Sequence, residues 1–211
     1  MKGFVTINKV FKDGTVESVL DRDENILTDG FGIAVVNLFS VASENVADDL
    51  QIGYFQLGTS SYSDDPDWTD SLPSSVANNF YSLSAPLPEP RYYGPETTIE
   101  AVYRNVITVT NPFAEASDLN YTYENQAVCR FENDSVSKIS DRYISCKFTI
   151  DDKGAPNQKI KEFGLFIKNP EGFQDIDRPV LAAYKLLPEP LVKNDEFSID
   201  VEWLIDVSNE D

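Results

Sequence analysis

From Phe4 to Val10 apolar and polar positions alternate, and after Lys12-Asp13-Gly14 the apolar residues Val16, Val19 and Leu20 resume. A two-residue period puts successive side chains on opposite faces of a strand. Asp-Gly tolerates the positive φ angles of a tight turn, so residues 1–21 are expected to form a β-hairpin. The period then changes once. After Thr28-Asp29, either of which can cap a helix, Phe31, Ala34, Val35, Leu38, Phe39 and Ala42 recur at helical spacing, which predicts a single helix over about residues 30–43. Gly30 and Gly32 weaken its first turn, and its near-continuous apolarity predicts a helix buried between other elements. Residues 52–57 read as a short apolar strand that stops at Gly58-Thr59.

Residues 60–79 are dominated by Ser, Asp, Pro and Asn, and Pro86, Pro88, Pro90 and Pro95 follow, which predicts an extended stretch. Such a stretch is longer than a compact domain uses for connection. Residues 60–98 are therefore expected to form an arm that docks on a neighbouring subunit. Its side chains Trp68, Leu72, Phe80, Tyr81, Leu83, Tyr92 and Tyr93 would be wasteful in a merely solvated loop, and Trp68, Leu72, Phe80, Tyr81, Tyr92 and Tyr93 are the candidate partner contacts. Beyond it the period is that of strands alone, in runs at 99–110, 121–131, 136–150, 160–168, 180–187 and 197–207. Asn111-Pro112, Lys153-Gly154-Ala155-Pro156 and Asn169-Pro170-Glu171-Gly172 separate them as turns. The expectation is an all-β chain: one antiparallel β-sandwich or barrel-like domain over 1–211, with its main core at 99–207 and sequential hairpins predominating. Leu-Pro-Glu-Pro at 87–90 recurs at 187–190 without wider similarity around it, too little for an internal duplication.

Hydrophobic residues make up 41% of the 211, enough to offset the ordering entropy, so the chain is expected to fold. Its 36 acidic and 17 basic side chains leave a net charge of −19, which repels phosphate backbones and anionic lipid alike. Nucleic acid and membrane are thus not expected partners, and no run of apolar residues is long enough to span a bilayer. The N-terminus, Met1-Lys2-Gly3-Phe4-Val5-Thr6, looks like strand and not like a secretory signal, and synthesis in a reducing cytoplasm is expected. Cys129 and Cys146 are expected to be two reduced, half-buried thiols, although neighbouring strands would permit a bridge.

The chain contains no histidine, which removes the commonest general base and metal ligand together with serine–histidine and cysteine–histidine nucleophiles. Phosphate-cradling glycine patterns are missing too: Gly30-Phe31-Gly32 leads to no third glycine at the required place. Carboxylate pairs such as Asp48-Asp49 and Asp151-Asp152 arise freely in so acidic a chain, and solvated turns are their ordinary reading. Asp21, Asp23 and Asn25 fit the first three ligand positions of an EF-hand loop. Ile26 and Gly32 then stand where the glycine and the bidentate glutamate belong, and the pattern fails. At Asp64-Asp65-Pro66-Asp67 an exposed acidic tip is favoured over a calcium site. Trp203 shares a strand face with Val201 and Ile205 and belongs in the core, whereas Trp68 lies in the polar loop. No catalytic residue, cofactor or metal site is expected.

Several pieces stand in a recognisable order: a hairpin, Asn25-Ile26-Leu27-Thr28-Asp29-Gly30 entering an apolar helix, then Ile52-Gly53-Tyr54-Phe55-Gln56-Leu57-Gly58-Thr59. Near the end come Ile160-Lys161-Glu162-Phe163-Gly164-Leu165-Phe166, a Leu-Pro-Glu-Pro bend with Lys193, and Val201-Glu202-Trp203-Leu204-Ile205. This order resembles tailed-bacteriophage virion proteins of the tail-collar, fibre-attachment, baseplate or neck kind, over about half of the chain at its two ends. The resemblance implies a non-enzymatic structural protein of the virion that contacts other virion proteins and copies of itself in a symmetric homo-oligomer. Unpaired sheet edges and extended arms suit such assembly on physical grounds. A glycan-binding host-recognition module and a capsid decoration protein are the rival readings.

Overall fold

The computed structural model describes residues 1–40, 47–59, 83, 100–103, 107–110, 120–123, 127–130, 136–152, 154–155, 157–172 and 179–208. The chain forms β1 (Lys2–Phe11), β2 (Val16–Leu27), α1 (Asp29–Phe39), a 3₁₀ turn (Ala47–Leu50) and β3 (Ile52–Gly58). Four short strands follow: β4 (Glu100–Tyr103), β5 (Ile107–Thr110), β6 (Asn120–Tyr123) and β7 (Ala127–Arg130). The rest is β8 (Val136–Lys138), β9 (Tyr143–Ile150), β10 (Lys159–Ile167), β11 (Val180–Val192) and β12 (Phe197–Asp206). The described strand pairs are antiparallel throughout. Ten strands share one sheet in the order β4-β7-β3-β10-β11-β2-β1-β12-β9-β8, and the eight from β3 to β8 roll into a nearly closed barrel. The expected all-β antiparallel fold with one N-terminal helix is the fold adopted, in its barrel-like form.

Strand alternation builds the core. Along β12 every second residue is buried, and its register aligns Val5–Trp203–Cys146 and Ile7–Val201–Phe148 as inward-facing rows across β1, β12 and β9. On the other wall, Phe55 of β3 and Leu165 of β10 pair and face the same interior. The walls meet where Phe55 stacks on Phe148, ring centroids 3.8 Å apart, although β3 and β9 lie far apart in strand order. Curvature comes from irregularities in the ladders. Between Val5↔Asp23 and Ile7↔Leu20 strand β2 carries one extra residue, with Arg22 at φ 48° and its N–H donated to Thr6 Oγ1 at 3.2 Å. In β11 a larger bulge falls at the second Leu-Pro-Glu-Pro, between the pairs Ile160↔Leu191 and Glu162↔Leu186. Proline has no N–H for the ladder, so Pro188, Glu189 and Pro190 project to solvent while Leu187 and Leu191 stay inside.

The N-terminal hairpin is part of the main sheet, where β1 lies between β2 and β12. The organisation differs from the sequence expectation in three respects. Among the described ladders only β1–β2, β5–β6, β8–β9 and β10–β11 join consecutive strands, so sequential hairpins do not predominate. The run at 136–150 is two strands, turning at residues 139–142, and those at 99–110 and 121–131 each contain two. Finally, Asp21-Arg22-Asp23-Glu24-Asn25 lies within β2, not in a loop, and Asp23 there binds Lys185 at 2.6 Å. The pairs Tyr103↔Ala127 and Ile107↔Tyr123 advance by equal steps on both strands, so β4–β7 and β5–β6 share one register.

Cys146 is a free thiol, fully buried against Trp203 on β12, and burial pushes its pKa from the usual 9.0 up to about 12. In a Cys129→Ser variant this thiol resists a water-soluble alkylating reagent at pH 8 until denaturant is added, as mass spectrometry of the adduct will show. The folded chain holds the thiol proton more tightly than the unfolded chain does. That contribution to stability is complete below about pH 9 and declines as pH rises toward 12, so denaturant midpoints fall over that window.

Candidate protein interface

Helix α1 follows directly from β2 and is fixed to β11. Thr28 occupies its N-cap position without capping it: the hydroxyl donates to the Leu181 carbonyl instead, and the Thr28 N–H donates to the Ala182 carbonyl at 2.9 Å. Gly30 is buried so closely on β11 that a Cβ there would run into the same Leu181 carbonyl oxygen and the Val180 side chain. Ala34 is also buried, and the Asn37 amide donates to the Pro170 carbonyl just beyond β10. The inward side of α1 is therefore centred on Gly30, Ala34 and Asn37, at the i, i+4, i+7 spacing of one helix side, with Phe31 packed against the core beside them.

Phe31 in the first turn is half-buried against the core, but in the last turn the large residues lie outside, which overturns the expectation of a helix buried between other elements. Val36 is 66% exposed, Leu38 60% and Phe39 80%, and Gly32 on the same outer face has open space above it. Val36 and Phe39 share the outer face of Gly32, and Leu38 is exposed on the flank of the same last turn, a concentration of apolar surface at one end of a short helix. Because these side chains have little packing to lose, Leu38→Ala and Phe39→Ser each change the urea unfolding free energy by less than about 0.5 kcal/mol. A buried helix would instead lose about 2–5 kcal/mol.

The surroundings of this patch are acidic. The 3₁₀ turn beside α1 carries Asp48 and Asp49, Glu171 follows the carbonyl that binds Asn37, and Asp29 opens the helix on its exposed side. Among the described residues here, Lys168 donates to Asp48 at 2.7 Å. The last turn of α1 has no basic residue, so the partial negative charge of its carbonyl end is uncompensated from within the helix.

Two buried polar groups elsewhere serve the fold. The enclosed Lys193 ammonium donates to the carbonyls of Asp152 at 3.0 Å and Asn194 at 2.5 Å, and lies 5.2 Å from the centre of the Phe197 ring. Its pKa is lowered by burial, against the raising influence of Asp151, Asp152 and Asp195. On the outer face of β10 and β11, the buried Glu162 carboxylate accepts the Tyr184 hydroxyl at 3.0 Å. Beside it the Gln56 side-chain oxygen accepts the Leu83 N–H at 3.0 Å, and Leu83 packs over Gly164 with Phe166, Leu181 and Leu186. Among the described residues no group of three or more acidic or cysteine side chains is placed to hold a metal ion. No described helix is long and apolar enough to cross a membrane.

The candidate contacts Trp68, Leu72, Phe80, Tyr81, Tyr92 and Tyr93 lie outside the described residues, as does Asp64-Asp65-Pro66-Asp67. Leu83, the one described residue of the 60–98 stretch, is buried on its own barrel and not presented to a neighbour, because Gly164 leaves a hollow that its side chain fills. Trp203 lies in the core, as the alternation on its strand requires. The exposed patch was missed because the periodicity marked the large residues as the inward set; the signal available was the small pair Gly30 and Ala34, one turn apart. No family model matches the chain, and neither a curated protein nor a solved structure shows significant similarity to it.

Proposed function

We propose that the chain is a non-enzymatic structural component of a bacteriophage particle, which joins other virion proteins, and copies of itself, in the tail, neck or baseplate. The observation that carries the reading is the apolar end of α1, where Val36, Leu38 and Phe39 are exposed within one helical turn, whereas the other exposed large hydrophobics among the described residues, such as Val16, Ile139 and Val192, lie elsewhere in the chain. A surface of this kind is costly to leave in water and is made useful by a protein partner. The virion class is supported by the segments that carry the resemblance, which are neighbours in space: β3 pairs with β10 from Gly58↔Glu162 to Ile52↔Ile167, and Thr28 ties the entry of α1 to β11. Of the aromatics a glycan-binding module would use, Tyr54 is buried, and Trp68, Tyr92 and Tyr93 lie outside the described residues.

Mass spectrometry of gradient-purified virions from the phage that encodes the chain tests the proposal. Recovery at a fixed multiple-copy ratio to the other virion proteins is the expected result. A chain abundant in the lysate and missing from intact particles would overturn it.

A further inference from the structure

We draw no further inference here: the strongest candidate, the exposed apolar surface of Val36, Leu38 and Phe39 in the last turn of α1, belongs to the interface already described, and nothing in the structure shows what covers it.

Discussion

Replacing Trp203 by alanine lowers the unfolding free energy by about 3–5 kcal/mol, the range for deleting a fully buried aromatic side chain. Trp203 lies in the inward row Val5–Trp203–Cys146, at the centre of the three strands that join the two ends of the chain. Its removal leaves a cavity that rigid ladders on both sides cannot close. Trp203→Phe costs less than half as much, because a ring remains and the indole N–H it removes has no acceptor among the described residues. Guanidinium titration followed by far-ultraviolet circular dichroism reads both values. A loss below about 1 kcal/mol for the alanine variant would mean that this row is not the core of the barrel.

A valine at Gly30 destabilises the protein by about 3 kcal/mol or lifts α1 from the barrel, since its Cβ collides with a backbone oxygen that cannot move without breaking β11. That oxygen is the Leu181 carbonyl which accepts the Thr28 hydroxyl, so the collision also breaks the tie at the start of the helix. Gly32 is the internal control. It lies on the outer side of the same turn with nothing near it, and Gly32→Ala stabilises the protein by about 0.5–1 kcal/mol through helix propensity alone. Opposite signs at two glycines two residues apart would establish which face of α1 meets the sheet. Equal effects at the two positions would contradict the orientation described.

Strands were legible in the sequence wherever one face meets solvent and the other the core, as in β12, because alternation then encodes position directly. Their partners were not. The pairing of β1 with β12 and of β3 with β10 joins residues more than a hundred positions apart, and no local pattern records it. For α1 the spacing predicts the element but not its orientation: with apolar residues nearly all round, only the size contrast between Gly30, Ala34 and the flanking Val36 and Phe39 shows which side is pressed on the sheet. The resulting site is made of Leu38 and Phe39, two residues expected inside, and Val36, which the helical spacing passed over.

The assembly role requires the end of α1 to be open in the free protein and covered in the assembled particle. Hydroxyl-radical footprinting of the isolated chain and of purified virions, read by mass spectrometry at Val36, Leu38 and Phe39, measures this directly. Strong modification of all three residues in the isolated chain and protection in the particle is the predicted result. Protection in the isolated chain, or undiminished modification in the particle, would contradict it.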